Sequence, residues 1–482
     1  MSRFYDRVAL TLAFVAVLGS VAIMLCVGAK VSDPDYFNYI GRCLLAGRRL
    51  YTDIWDCKGP VLYVIATLGT FIHPVAGQNL LFAAFFVADL VLFHGLVRQI
   101  GGCRPGLCTL LFAVLVLAVG NFTILGRQEM LVCLLVLTGL RIQGRFAPWG
   151  DLLTGMCAGL VFFIKPNLIS FLSVPLVQGL QTAVRTGAWG RFVFRCLCLA
   201  LGFAFVLLVV TACFFPDAVE DLWYGALLWN LLERTQNRPS WFGFWQEALS
   251  SWCCWKRYGW IIPIFWPLLV LGCVRVVVSR NWAWFCWATW ALLETAAAFA
   301  APWFYAYYVI VGCLPVTLLV ASAPHQATAE RKDGRFVVLV AIVALLCVCL
   351  RARPLWRHVK AAPLRNSEIS MMAESLGTSS GGVTVFGGNR TAAVMTKLGR
   401  LSPQRFAGIS YWWKLSSGDF RNALAEDFLS SLASDGEWLL SELPIELLSC
   451  ELGDARIAAK LSEYRLCCRA CRNMVFLYRR FR

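Results

Sequence analysis

The stretch VALTLAFVAVLGSVAIMLCVGA, residues 8–29, holds 22 residues and no charged side chain. A helix that crosses a bilayer needs about 20 mainly apolar residues, so this run is long enough by itself. Arg3 and Arg7 precede it, as they would a signal peptide. The run is longer than a typical h-region and further apolar runs recur as far as Leu350, so it reads as a retained helix. The whole chain has the same character. Its 482 residues are 59% apolar and 15% charged, with mean hydropathy +0.66, against about 45–50% and about 25% in soluble domains. These numbers define a polytopic α-helical membrane protein.

The apolar runs break at basic loops. The predicted spans are 8–29, 79–98, 106–124, 128–141, 148–164, 166–184, 193–215, 258–278, 282–300, 303–322 and 335–352, about eleven in all. The run 60–73, PVLYVIATLGTFIH, has 14 residues. It reads as interfacial or re-entrant rather than as a span. With a cytoplasmic N-terminus, every second loop is basic: Arg98 and Arg104, Arg141 and Arg145, Arg185, Arg191 and Arg195, Arg275 and Arg280, then Arg331, Lys332 and Arg335. The other side receives residues 30–78, the loop at Arg127, Lys165-Pro166-Asn167, the long loop 216–257, Pro302-Trp303 and the tail. Arg42, Arg48 and Arg49 run against this rule, but they sit in a long loop, where it is weaker.

Residues 1–352 therefore form the membrane domain. Residues 353–379 read as a linker. Residues 380–482 alternate short apolar strands (VTVF, EWLLSEL, MVFLYRR) with amphipathic helical stretches, the pattern of a small extracytoplasmic α/β domain. The turn Gly387-Gly388-Asn389 after the first strand is not a dinucleotide fingerprint. The net charge of +16 does not indicate nucleic acid, because residues 361–482 carry only +3 of it and the rest lies in the membrane part. Most of the 21 cysteines are scattered in apolar helices, where a thiol acts as a small hydrophobe. Cys467, Cys468 and Cys471 make a lone CCxxC, a weak zinc signal. Cys43 and Cys57 share a loop that could carry a disulfide outside the cell.

Polar residues cluster behind the first span. Asp33 to Pro60, DPDYFNYIGRCLLAGRRLYTDIWDCKGP, contains four aspartates, one lysine and three arginines. Tyr36, Ile40, Cys43 and Leu44 fall at helical spacing, so Asp35–Ala46 reads as a helix lying along the interface, with Arg42, Arg48 and Arg49 as solvated charges. Asp33, Asp35, Asp56 and Lys58 flank apolar segments near headgroup depth, where ionisable groups tend to be functional. Asp53, Arg127, Gln128, Glu129, Lys165, Glu233, Arg234 and Arg238 fall on the same side. Taken singly each reads as a helix flank or solvated charge; together they read as candidates for one cleft. Asp89 lies mid-span and Glu294 toward an outer helix end, where each reads equally as a helix-to-helix hydrogen bond or as a functional group. His73, His94, His325 and His358 are too dispersed to argue for a metal.

The first loop also resembles that of bacterial membrane glycosyltransferases of the GT-C superfamily, which includes aminoarabinose transferases and protein O-mannosyltransferases. The shared pattern is D-x-x-x-F-x-Y-I-G-R-x-L-L-x-G-x-x-x-Y-x-D-x-x-D-x-K-G-P. Here it runs from Asp33 through Phe37, Tyr39, Gly41, Arg42 and Gly47 to Tyr51, Asp53, Asp56, Lys58, Gly59 and Pro60. Weaker echoes are Gly126-Arg127-Gln128-Glu129-Met130, Lys165-Pro166-Asn167 and Tyr305-Ala306-Tyr307-Tyr308. The last lacks the histidine of the family's His-Tyr-Tyr. The resemblance implies an inverting transfer of a sugar from a polyprenyl-phosphate donor to an acceptor hydroxyl on a glycan, lipid or protein, at the bacterial cytoplasmic membrane. It implies Asp33, or Asp35 next to it, as general base. It implies Lys58 with Asp56, Arg127 and Lys165 at the donor phosphate, and Asp53, Glu129, Tyr305, Tyr307, Glu233 and Arg234 as further cleft candidates. Members differ in their need for a divalent metal, and the four aspartates of the loop could hold Mg or Mn.

Two other classes fit the composition. A transporter or lipid flippase for envelope precursors predicts mid-membrane polar groups and broken helices in repeated halves. Asp89 suits it, but no internal repeat is visible. A membrane scaffold would tolerate loss of Asp33 and Lys58. A soluble nucleotide-sugar enzyme is excluded, since no cytoplasmic segment is large enough.

Overall fold

The computed structural model describes the chain apart from residues 1, 28–32, 102–103, 120–126, 144–145, 147, 215–216, 230–260, 279–283, 301–308, 322–328, 377–381, 407, 409–417, 434–435, 471–474 and 482. A helix lies on each of the eleven predicted apolar runs. These are α1 (Ser2–Val27), α4 (Gly77–Gln99), α5 (Pro105–Val119), α6 (Gln128–Gln143), α7 (Trp149–Phe162), a 3₁₀ turn Pro166–Leu172 leading into α8 (Ser173–Thr186), α9 (Trp189–Cys213), α11 (Ile261–Val278), α12 (Phe285–Ala300), α13 (Cys313–Ala321) and α14 (Ala329–Leu376). Between them lie α2 (Asp33–Leu45), α3 (Pro60–Ile72) and the short α10 (Val219–Trp223). Among the described residues five helical segments are long and apolar enough to cross a membrane: Phe4–Cys26, Gly77–Gln99, Pro166–Thr186, Trp189–Cys213 and Val338–Leu376.

The chain divides into two compact units. The first comprises Met1–Cys26, Phe82–Cys213 and Arg238–Trp356. Its centre is α5 and α13, apolar around their whole circumference and buried almost throughout. Phe93 stacks on Phe112 at 4.8 Å, and Phe86 meets the same ring edge-on at 6.1 Å. Outer helices do the reverse. Leu197, Leu201, Phe205 and Leu208 of α9 are exposed at helical spacing, an uncovered apolar stripe that suits lipid rather than water. Helix α9 packs on α7 through glycine. A Cβ on Gly155 would stand 2.1 Å from the Leu199 carbonyl oxygen, and one on Gly202 would stand 2.0 Å from that of Leu152. Small residues allow this backbone approach where no hydrophobic effect drives helices together. Across the same crossing Arg195 donates to Asp151 at 3.2 Å.

The second unit comprises Val27–Leu81, Phe214–Asn237 and Arg357–Arg482. Residues 353–376, read above as the start of a linker, lie within α14. After it come β1 (Gly382–Phe386), α15 (Asn389–Leu398), α16 (Gly418–Ala433), β2 (Gly436–Ser441), α17 (Ile445–Leu452), α18 (Ala455–Leu461), β3 (Tyr464–Ala470) and β4 (Val475–Arg480). The strands form one sheet in the order β1-β2-β4-β3. β1 pairs parallel to β2, with Thr384 opposite Leu439, and the other two pairings are antiparallel. This is a small mixed α/β domain, as the alternation of strand and helix signals predicted. Strand β3 was absent from that reading. It is an edge strand broken by Arg465, Cys467, Cys468 and Arg469, a composition that edge positions tolerate and that hides the strand signal.

Candidate functional site

The second unit builds the first loop around α2. Asp33 and Asp35 stand in its first turn and Arg42 in its last, each on the side the helix dipole favours. The expectation of a surface-lying amphipathic helix is corrected here. Tyr36, Phe37, Asn38, Tyr39, Ile40, Gly41 and Cys43 are all buried, because α2 packs on α3 and also on α15. Gly41 makes the first contact possible: a Cβ there would meet Thr70 Oγ1 at 2.6 Å and the Ala66 carbonyl oxygen at 2.8 Å. Arg42 and Arg48 are half-buried rather than solvated, whereas Arg49 is exposed as expected. Arg42 donates to the Thr396 carbonyl in the last turn of α15 at 2.5 Å. Arg48 reaches the Gln404 carbonyl at 3.5 Å, and Arg49 pairs with Asp53 at 3.3 Å.

Residues 46–59 fold back over this helix. Tyr51 is fully buried and has φ +67°, a left-handed backbone that non-glycine residues seldom adopt. Its hydroxyl donates to the Lys58 carbonyl at 2.6 Å, and its own carbonyl accepts from Arg405 at 2.7 Å. Strain of this kind persists only where neighbours hold it. Trp55 completes the clamp. Its ring sits 5.0 Å from Phe420, 5.7 Å from Phe406 and 6.1 Å from Trp229, and the Trp55 backbone N–H donates to the Arg405 carbonyl at 2.9 Å.

This fold brings three of the predicted residues together. Asp56 is completely buried; one oxygen accepts from the Cys57 N–H at 2.7 Å and the other lies 3.8 Å from Lys58 Nζ. Burial pushes the Asp56 carboxyl above the ordinary aspartate range. The Lys58 charge pulls it back, and the nearby negative Asp33 raises it further. Lys58 is about a quarter exposed, and its ammonium also lies 5.0 Å from the Phe37 ring centre. Asp33 accepts from Asn389 Nδ2 of α15 at 3.0 Å. Asp35 is partly exposed, two residues on in the same turn. Asp53 does not join them. It accepts from the Arg49 backbone N–H at 2.8 Å and from its guanidinium, which holds its carboxyl below the usual range and makes it a staple of the turn. Cys43 and Cys57 are both buried and are not joined.

Arg127, Glu129 and Lys165 belong to the first unit. Glu129, at the start of α6, is fully buried and accepts from Lys165 Nζ at 2.7 Å. Arg127 and Gln128 beside it are also buried. Ser170 donates to the buried Glu294 of α12. Asp89 is buried in α4, and neither carboxylate oxygen has a hydrogen-bond partner among the described residues. Tyr305, Tyr307, Glu233 and Arg234, with Arg238, lie outside the described residues. Among the described residues no three His, Cys, Asp or Glu side chains are gathered to hold a metal ion, so the Mg or Mn considered for the loop has no ready site there. Cys467 and Cys468 are on β3, and Cys471 is outside the described residues.

Two contacts were not anticipated, the Asn389 amide on Asp33 and the Ser170 hydroxyl on Glu294. For Asn389 a signal was present. Gly387-Gly388-Asn389 is a turn from strand to helix, but it was weighed only as a nucleotide motif. In the structure the chain's own Glu442 fills that helix N-terminus, accepting from the N–H groups of Gly388 at 2.8 Å, Arg390 at 3.2 Å and Thr391 at 3.4 Å.

No family model matches the chain, and no curated protein sequence is significantly similar. Solved structures do match. ArnT from Cupriavidus metallidurans bound to undecaprenyl phosphate is 11% identical, with TM-score 0.59, over 99% of this chain and 98% of that one. The apo state of the same protein gives 12% identity and TM-score 0.61 over the same shares. The chain therefore has the ArnT fold along nearly its whole length: a polytopic, membrane-type helical bundle with a small C-terminal sheet domain.

Proposed function

We propose that the chain is an inverting glycosyltransferase that moves a sugar from a polyprenyl-phosphate donor to an acceptor hydroxyl outside the cytoplasmic membrane of a bacterium. The observation that carries this reading is the grouping of Asp33, Asp56 and Lys58 at one end of the first loop, on a fold shared with a protein that binds undecaprenyl phosphate. In this reading the N-terminus is cytoplasmic, and the first loop and the sheet domain are extracytoplasmic.

The chemistry follows from charge and position. The acceptor oxygen attacks the anomeric carbon as Asp33 takes the hydroxyl proton. The bond from that carbon to the phosphate oxygen breaks on the opposite face, which inverts the centre. Polyprenyl phosphate leaves with the bonding pair, and the Lys58 ammonium stabilises its developing charge. Asp56, 3.8 Å from that ammonium, holds it in place. The apolar faces of the bundle suit the polyprenyl chain. The fold likeness favours transfer over transport.

The test is release of free polyprenyl phosphate from a panel of polyprenyl-phosphate sugars by purified protein. Asp33→Asn is expected to lower turnover at least about 100-fold, the scale of losing a general base, while Asp35→Asn retains most of it. Wild-type turnover in the Asp33→Asn variant would overturn the role of Asp33.

A further inference from the structure

Helix α15 of the sheet domain lies beside α2 and runs in the same direction. Asp33 meets Asn389 where both helices start, and Arg42 meets Thr396 where both end. Between the domain and the rest of the loop, Tyr39 Oη accepts from the Ser402 N–H at 2.8 Å and the Tyr51 carbonyl accepts from Arg405. Asn389 lies 356 positions along the chain from the aspartate it touches. The amide is also held from behind. Glu442 bonds three backbone N–H groups of the turn that carries it, which fixes where α15 begins.

We propose that Asn389 is a positioning residue for Asp33, and that the sheet domain serves to set the reactive geometry of the first loop. This deepens the transfer reaction proposed above and rests on it. A carboxylate that is to take a proton must be ionised and correctly turned. Asp33 stands within electrostatic reach of Asp56. The Asn389 amide, donating at 3.0 Å, fixes the carboxylate plane and is itself uncharged. A lysine in that place would neutralise the base; an aspartate would add a third negative group. Asparagine orients the carboxylate without adding charge.

The test separates the donor from the bulk of the side chain. Asn389→Leu keeps the volume and loses the donor, whereas Asn389→Ser loses volume and keeps a donor. Turnover of a polyprenyl-phosphate sugar and the thermal midpoint are measured for both in full-length detergent-solubilised protein. Asn389→Leu is expected to lower kcat about 10- to 100-fold, the span of one hydrogen bond to a charged group. KM for the donor should stay within about two-fold and the midpoint within about 2 °C. Asn389→Ser is expected to recover a large part of kcat. A loss that follows volume instead, with Ser worse than Leu, would make Asn389 a packing residue and end the proposal, as would wild-type kcat in Asn389→Leu. Wild-type protein that releases no lipid phosphate from any donor would remove the transfer reaction itself, a failure read in the wild-type arm before any variant is compared.

Discussion

Replacing Lys58 by alanine leaves Asp56 with no cation at 3.8 Å while the carboxylate remains fully buried. At that distance and an effective dielectric of about 20, the lost attraction is about 4 kcal/mol before screening. Lys58 is 26% exposed, so water screens part of it, and a net cost of about 2–3 kcal/mol is expected. The reverse change is cheaper. Asp56→Asn leaves behind a lysine that can reach water, and about 1 kcal/mol is expected for the weakened backbone bond and the lost charge pairing. The double variant carries no buried charge and should recover most of the Lys58→Ala loss. The pH dependence has a definite sign. Burial raises the folded-state pKa of Asp56 above its ordinary value of 3.8, so stability from the neutral carboxyl is fully present below that value and is lost as pH rises through the folded pKa. Above that point the Lys58 charge offsets the loss, so the Lys58→Ala penalty should be larger at pH 8 than at pH 5. Thermal midpoints of the two single variants and the double, at both pH values, measure this directly. Turnover supplies the second reading: the double variant should regain stability without regaining lipid-phosphate release. An Asp56→Asn penalty equal to that of Lys58→Ala, or the same Lys58→Ala penalty at both pH values, would refute the reasoning.

Other perturbations test neighbouring parts. Breaking the Glu129–Lys165 pair by Lys165→Ala should destabilise the protein by about 3–5 kcal/mol, since Glu129 is fully buried; Glu129→Gln in the same chain should restore much of the thermal midpoint. Asp53→Ala should lower the midpoint slightly and leave turnover within about three-fold, because its partner is the exposed Arg49 and solvent screens exposed pairs; a hundred-fold loss of turnover would return Asp53 to the cleft.

Much of the helical layout was legible because lipid demands it. A run such as 8–29 has one plausible destination, and the alternation of basic loops orders the runs around it. The short segment 60–73 shows why length matters: Pro60–Ile72 is 13 residues, about 20 Å at 1.5 Å per residue, well short of a hydrocarbon core of about 30 Å. Its exposed Val64, Leu68 and Phe71 form an apolar stripe on one face. The loop was less legible. Periodicity found the helix at Asp35–Ala46 but not its surroundings, because polar and aromatic residues at helical spacing look alike whether the far side meets headgroups or another domain. The deciding contacts come from residues 389–406, more than 300 positions along the chain, and no local pattern encodes them.

That distance bears on why the loop is so polar. Four aspartates and four cations behind a first span would be costly to bury without partners. In the structure Arg49 and Asp53 staple one turn, Asp56 and Lys58 satisfy each other, and Arg42 closes the end of α15. Asp33 is held by an amide, a partner that leaves its charge intact. The sheet domain supplies the amide, and the same domain anchors Tyr39, Tyr51 and Trp55. Its packing on the loop and the orientation of Asp33 are therefore parts of one arrangement, and damage to the domain should appear first as lost turnover rather than lost donor binding.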